Sequence, residues 1–382
     1  MPVKPVKQTY VNTSLYAADA MGVCSALYEL GGMSVMHDAS GCNSTYTTHD
    51  EPRWYDFDSL VFITAMTEHE ALMGDDEKTV RDISEAARQL NPRFIALAGT
   101  TIPAMCGIDI PALARLIEAK TGIPSFGLPT DGMHSYLRGA ALAFDALAHR
   151  FVKETEKTDA LSANILGLTP LDFSYIGIED SIKAAVKAAD IEIISSWAMG
   201  SSPEDIEKSA SARVNLVVSE TGLEAAKTLE KRFGIPYVIG TPISGFTPDI
   251  IEAIKTADAE KRNINPTEIF IGRDAASVAV IGEYVFASSL CAALSKHGIS
   301  ACPVCPLESR LKAKPSDSVS DEHAISEELK NAGTVIADPL YAPIAKGKKF
   351  IALPHEAYSG RIFRSSIPDL TDSLDSILKE LK

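Results

Sequence analysis

Short runs rich in valine, isoleucine and leucine alternate with helix-length amphipathic segments along almost the whole chain, and this rhythm limits the fold more than any other feature. Leu60-Val-Phe-Ile-Thr64 is followed by a polar stretch and a helix-like segment from Glu77 to Leu90. Arg93-Phe-Ile-Ala-Leu-Ala98 then precedes another, over about 111–120. Apolar runs return at 163–167, 191–195, 214–218, 277–281, 334–337 and 350–353. Runs this short and continuous suit strands buried on both faces, and parallel strands need a long crossover between them, usually a helix. The chain is therefore expected to be α/β, with parallel sheets covered by helices on both sides.

At 382 residues the chain is too long for one ordinary domain. Polar breaks at 153–163 and 258–266 divide it into three expected units, residues 1–155, 156–262 and 263–382. The segment 306–322, rich in Ser, Lys and Asp, reads as an exposed loop. With 46% hydrophobic and 23% charged residues, bulk disorder is excluded. The balance of 36 basic against 51 acidic residues, a net charge of −15, argues against nonspecific nucleic-acid binding. The longest apolar stretch, 275–290, is interrupted by Glu283 and falls short of a membrane span. No secretory signal is visible, so a cytoplasmic location is expected.

Six cysteines are too few for a disulfide scaffold and read as core residues, metal ligands or redox groups. Cys24, Cys42 and Cys106 each stand beside glycine or a polar turn, at separations of 18 and 64 residues. Thiolates in such settings hold iron–sulfur clusters, but no compact ferredoxin-type run is present and core packing is the alternative. Cys302-Pro-Val-Cys305 is a lone pair, readable as a redox couple or as half of a zinc site with His297. Cys291, inside an apolar helix-like segment, reads as core. His37, Asp38, His49, Asp50 and Glu51 gather around Cys42, either as a solvated loop or as proton donors lining a pocket. His134 and His355 allow the same two readings. No Gly-x-x-x-x-Gly-Lys-Ser/Thr phosphate loop occurs, so no ATP site is expected in this chain.

An ordered series of segments resembles the nitrogenase component 1 family, which takes in the molybdenum–iron protein subunits, their assembly-scaffold relatives and the nitrogenase-like tetrapyrrole reductases. Met36-His37-Asp-Ala-Ser-Gly41-Cys42 resembles the family's His-Gly-Pro-x-Gly-Cys segment. Thr64 through Glu68 to Gly74 resembles its Thr…Glu-x-Asp-x-x-Phe-Gly-Gly turn, and Thr100-Thr101-Ile-Pro103 through Asp109 its Thr-Cys-x-Pro…Gly-Asp-Asp-Ile. Thr130-Asp-Gly132 through Gly139, Asn164-Ile-Leu-Gly167, Phe233-Gly-Ile-Pro236, Thr241-Pro-Ile-Ser-Gly245 and Val278 to Gly282 follow in the family's order.

The resemblance implies three Rossmann-like domains, each a parallel sheet flanked by helices, and an iron–sulfur cluster, [4Fe-4S], at a subunit interface. It implies a homodimer, or a heterodimer with a homologous subunit, and a separate ATP-hydrolysing iron protein as electron donor. Cys24 and Cys42 match the first two cluster ligands. The third position holds Thr101, a poor iron ligand, and Cys106 five residues on is expected to replace it. His37, His49 and Glu68 are the expected proton-delivering or loop-orienting residues. The large catalytic cofactor's anchors have no good counterparts, because Cys291 is misplaced and His355 matches incompletely. A nitrogenase-like oxidoreductase is therefore expected, acting on a tetrapyrrole, a sulfur compound or another small molecule rather than dinitrogen. The rival is a scaffold or partner subunit in metallocofactor assembly.

Overall fold

The structure is a computed structural model that describes residues 10–41, 43–270, 276–312 and 320–382, with the backbone alone described for Thr48, His49 and Arg361. Cys42, one of the expected ligands, lies outside the described residues, as does the side chain of His49.

Twelve described strands form three four-stranded sheets in which every pairing is parallel. The first holds β1 (Met33–His37), β2 (Leu60–Ile63), β3 (Ile95–Gly99) and β4 (Ser125–Leu128), in the order β2-β1-β3-β4. The second holds β5 (Ser162–Leu168), β6 (Glu192–Ala198), β7 (Val214–Val217) and β8 (Tyr237–Ile239), in the order β6-β5-β7-β8. The third holds β9 (Val278–Ile281), β10 (Ala301–Val304), β11 (Thr334–Ala337) and β12 (Lys349–Ala352), in the order β10-β9-β11-β12. Each sheet thus starts at an inner strand, adds one edge and then crosses to the other side. The crevice between its first and third strands is a topological switch point, where ligands of open α/β sheets bind beyond the carboxyl strand ends.

The helices follow the expected periodicity. In the helix Asp76–Leu90, Val80, Ile83, Ser84 and Ala87 form the buried face, Asp75 caps the start through Lys78 N, and Asn91 closes the end in the left-handed conformation. One apolar cluster runs from sheet two (Ile165, Leu216) to sheet three (Val280, Ile336, Ile351), so these two sheets share a core. Sheet one is joined to sheet two by the helices Asp19–Leu27 and Tyr136–Arg150, which pack against the helix Leu223–Phe233 and Trp197. The crossing of those first two helices depends on glycine. A Cβ on Gly22 would lie 2.1 Å from Tyr136 O, and one on Gly139 would lie 1.8 Å from Asp19 O.

The amino-terminal segment fastens sheet three to this assembly. Glu322 accepts hydrogen bonds from the backbone N–H of Val11, Asn12 and Thr13 at 2.7–2.8 Å, and these hold its carboxyl down at about 2 despite the burial that opposes them. Ala17 N donates to Ala357 O at 2.7 Å, which carries Tyr16 between the sheets. No helix among the described residues is long and apolar enough to cross a membrane.

Candidate functional site

At the first switch crevice, β1 ends in His37 and β3 is followed by Thr100. Thr100 Oγ1 donates to Asp38 Oδ1 at 2.6 Å, Asn43 Nδ2 donates to Asp38 Oδ2 at 2.9 Å, and Thr64 Oγ1 lies 2.9 Å from His37 Nδ1. His37 is 3% exposed and burial lowers its pKa, which keeps the imidazole neutral near pH 7. Beside it is a cavity of about 140 Å³ lined by Val35, Thr64, Met66, Glu70, Lys78 and Ile83. Glu68 stands apart from this network, exposed in the first turn of the helix Glu68–Met73, whose capping box is made by Thr67 and Glu70.

The acidic loop expected around Cys42 separates into different environments. Glu51 is 2% exposed and accepts from Tyr46 Oη at 2.5 Å and from Arg53 Nε at 2.6 Å. Arg53, itself 1% exposed, also pairs with Glu29 at 2.8 Å, donates to Ser25 O at 2.7 Å and lies over the Tyr28 ring. Glu51 is therefore neither solvated nor a free proton donor; it is half of a buried ion pair.

The two described candidate ligands are unlike. Cys24 is fully buried in the helix Asp19–Leu27, in one apolar cluster with Ala20, Met36, Tyr46 and Val61. Burial, aided by the Glu51 carboxylate, drives its thiol far above the ordinary range, so no thiolate stands ready there. Cys106 is exposed at the end of the helix Thr101–Cys106. At the third ligand position the Thr101 hydroxyl lies 2.4 Å from where a Gly132 Cβ would be, so it is seated over that glycine. Among the described residues, a sealed thiol, an open thiol and a hydroxyl on glycine do not by themselves complete the ligand set of an iron–sulfur cluster.

The Cys302–Cys305 pair spans the end of a strand. Cys302 and Pro303 lie within β10, an edge strand that tolerates proline, and both thiols are buried without a disulfide. Cys291 is core, as expected. The loop after Pro306 departs from its expected exposure at its start, where Leu307 and Ser309 are buried.

The larger site lies where the sheets meet. A cleft of about 860 Å³ is bounded by residues following β4 (Asp131, His134, Arg138), β7 (Glu220, Lys227) and β10 (Ser309, Arg310). All three sheets thus contribute carboxyl-end residues to one opening. Asp131 accepts from His134 Nδ1 at 2.9 Å and from Arg138 at 3.2 Å, while Arg138 also touches the His134 ring. Behind them Asp19, fully buried, accepts from the N–H groups of Ala20, Asp131 and Gly132 at 2.8–2.9 Å; burial nevertheless raises its carboxyl to about 6.

A smaller inner chamber, about 30 Å³ and lined by Tyr16, Asp172, Asp338 and His355, has room for only one or two waters. Aromatic rings fill it: Tyr16 meets His355 edge-on at 5.5 Å and Tyr358 at 4.5 Å, and Tyr136 lies 6.1 Å from His355. Burial lowers His355 to about 4, its Nδ1 has no hydrogen-bond partner, and its Nε2 is 3.8 Å from Asp172. Sequence reasoning missed Asp172, Glu220 and Tyr136. The available signal was their position, each just after an expected strand or glycine turn.

Known proteins share this architecture. The solved structure of nitrogenase Cp1 at pH 6.5 superposes with a TM-score of 0.70 over 99% of this chain and 94% of its own, at 16% identity, which shows the common fold. The nitrogenase iron-molybdenum cofactor biosynthesis protein NifE of Clostridium pasteurianum is 29% identical over 46% of this chain. A light-independent protochlorophyllide reductase subunit of Cereibacter sphaeroides is 35% identical over 39%. The matches span 38% and 31% of those two relatives' lengths, about a third of each. The sequence model for nitrogenase component 1 type oxidoreductases matches residues 19–260, through sheets one and two. With that match and three sheets of one order, the chain belongs to the nitrogenase component 1 type oxidoreductase family.

Proposed function

We propose that the chain is a nitrogenase-like oxidoreductase subunit that accepts low-potential electrons from an ATP-hydrolysing iron protein and reduces an organic substrate, not dinitrogen, in the cleft between the three sheets. One observation carries this reading: residues following β4, β7 and β10 line a single opening. Its volume of about 860 Å³ suits an organic molecule, within the roughly 300–1,000 Å³ of ligand pockets. The inner chamber at His355, about 30 Å³ and packed with tyrosines, is too small for a large metallocofactor, which argues against dinitrogen reduction. The three sheets are proposed as the centres of three domains, 1–155, 156–262 and 263–382, working in the cytoplasm.

A homologous subunit, identical or not, is proposed to cover sheet one. The helices Glu68–Met73 and Thr101–Cys106 pack together and expose Leu72, Met73, Ile102 and Met105 around Cys106, an apolar surface suited to a partner. Any [4Fe-4S] cluster at that interface would draw on Cys106 and Cys42, with the partner completing the set; Cys24 would reach it only if the core opened. Glu68 at this rim is proposed to orient the loop, and His37 and His49 to deliver protons or orient it.

The test is iron and acid-labile sulfide content of anaerobic protein, followed by EPR after dithionite reduction and ATP-dependent turnover with an iron protein. Bound cluster with ATP-linked reduction supports the proposal. Bound metal without turnover would favour assembly, a reading supported by the cofactor-biosynthesis relative. Iron-free protein after reconstitution would sink both.

A further inference from the structure

The helix Asp76–Leu90 lies over β1 and β3, and leaves the edge strand β2 only partly covered. Val80, Ile83 and Ala87 pack on Met33 and Val35 of β1 and on Ile95 and Leu97 of β3, whereas Phe62 of β2 stays 38% exposed. Between helix and edge is the cavity of about 140 Å³ beside His37. Met33, Val35, Phe62, Met66 and Ile83 give it apolar walls. Lys78, also on its lining, is held by Glu70 Oε1 at 3.0 Å and Asp82 Oδ2 at 3.1 Å.

The proton position on His37 follows from its neighbour. Thr64 Oγ1 accepts from Asp38 N at 3.1 Å, and lies 3.2 Å from Asp38 O, which can only accept, and 2.9 Å from His37 Nδ1. A hydroxyl has one proton, so all three contacts are satisfied only when Thr64 donates to Asp38 O and His37 donates from Nδ1. Nε2 is then the bare ring nitrogen. It has no hydrogen-bond partner among the described residues, on a side chain that is 3% exposed and lines the cavity. A buried acceptor left without a donor is costly.

We propose that this cavity binds a small neutral molecule, a single ring in size, that donates an O–H or N–H hydrogen bond to His37 Nε2. The volume selects the size: an apolar cavity of roughly 150 Å³ takes benzene, whereas pockets for drug-sized ligands start near roughly 300 Å³. The apolar walls select a ring over a water cluster, because each enclosed water needs two or more polar partners. The charges select a neutral ligand. An anion would meet a bare nitrogen and a lysine already shared by two carboxylates, and a cation would have to displace that lysine. Burial lowers the pKa of His37, which keeps Nε2 an acceptor near pH 7. No residue of this cavity lines the cleft between the sheets, so the site stands apart from the proposed place of reduction.

Nitrogen-15 NMR of the imidazoles in the full-length protein tests this, with phenol as the probe and His37→Leu to identify the signals. The His37 ring should show a protonated Nδ1 and an unprotonated Nε2, and phenol should shift the Nε2 signal saturably while benzoate leaves it in place. In calorimetric titrations His37→Leu should weaken phenol at least about fivefold more than toluene, because the phenol hydroxyl is then buried unpaired. Ala86→Met, which fills the cavity from the helix side, should abolish phenol binding while unfolding stays cooperative. A protonated Nε2, a signal that phenol leaves unmoved, equal losses of phenol and toluene in His37→Leu, or phenol binding that survives Ala86→Met would overturn the proposal. None of these outcomes touches the reductase reading.

Discussion

Replacing Glu283 by glutamine should change how stability depends on pH, by an amount the structure specifies. Glu283 is fully enclosed and raised from 4.5 to about 8, chiefly by burial and then by Asp172 and Glu220. The folded state therefore binds a proton that the unfolded chain releases between about pH 4.5 and about 8, so stability falls as pH rises through that window. The full span is 3.5 units at 1.36 kcal/mol each, or about 5 kcal/mol, of which about 3 kcal/mol is lost by pH 7. Below about pH 4.5 the residue is neutral in both states and contributes no such slope. Glutamine does not titrate. It keeps one acceptor for the start of the helix Tyr284–Ser295 but loses the second, to Phe286 N, at a cost of about 1 kcal/mol at every pH. The variant should thus be slightly less stable than wild type near pH 4.5 and more stable, by about 2 kcal/mol, near pH 7. Asp172, raised in the same direction, is present in both proteins and largely cancels. Thermal or urea unfolding across this range is the assay. Parallel stability curves for the two proteins would refute the argument, since they would mean that Glu283 binds no extra proton on folding.

Other substitutions probe other parts of the molecule. Gly139→Ala places a Cβ 1.8 Å from Asp19 O, so the helices Asp19–Leu27 and Tyr136–Arg150 must separate; a loss of about 2–3 kcal/mol is expected in thermal unfolding. Arg53→Ala removes the partner of two buried carboxylates, Glu29 and Glu51, and should cost about 3–5 kcal/mol by urea unfolding. Cys24→Ala should leave iron content unchanged and cost about 1 kcal/mol through a small cavity; loss of iron would restore Cys24 to the ligand set.

Much of the architecture was legible in the order of apolar runs. The expected segments at 60–64, 93–98, 163–167, 191–195, 214–218, 277–281, 334–337 and 350–353 all overlap strands, and Asp75 and Asn91 bound the helix Asp76–Leu90 by ordinary capping. The strands β1, β4, β8 and β10 fell outside those segments, three of them for visible local reasons. β1 is Met-Ser-Val-Met-His, with a single β-branched residue. β4 contains Gly127, needed because a Cβ there would lie 2.4 Å from Ile110 O. β10 contains Pro303, acceptable only because the strand lies at an edge.

The candidate site was far less legible. Glu51 and Glu220 look alike in sequence as acids among polar neighbours, yet one is tied to a buried arginine and the other opens onto the cleft. Cys24 and Cys106 both follow small or apolar residues, yet one is core and the other exposed. The alternation of short buried strands with amphipathic helices determined three parallel sheets, because a continuous apolar run can be satisfied only by covering both of its faces. Which acids became buried was decided by the packing of one sheet's switch crevice against the next. Asp172, Glu220 and Glu283 are far apart along the chain, and each lies at a carboxyl strand end that any α/β sheet would have. Their burial, and the proton Glu283 retains, exist only once the second and third sheets close on a common core.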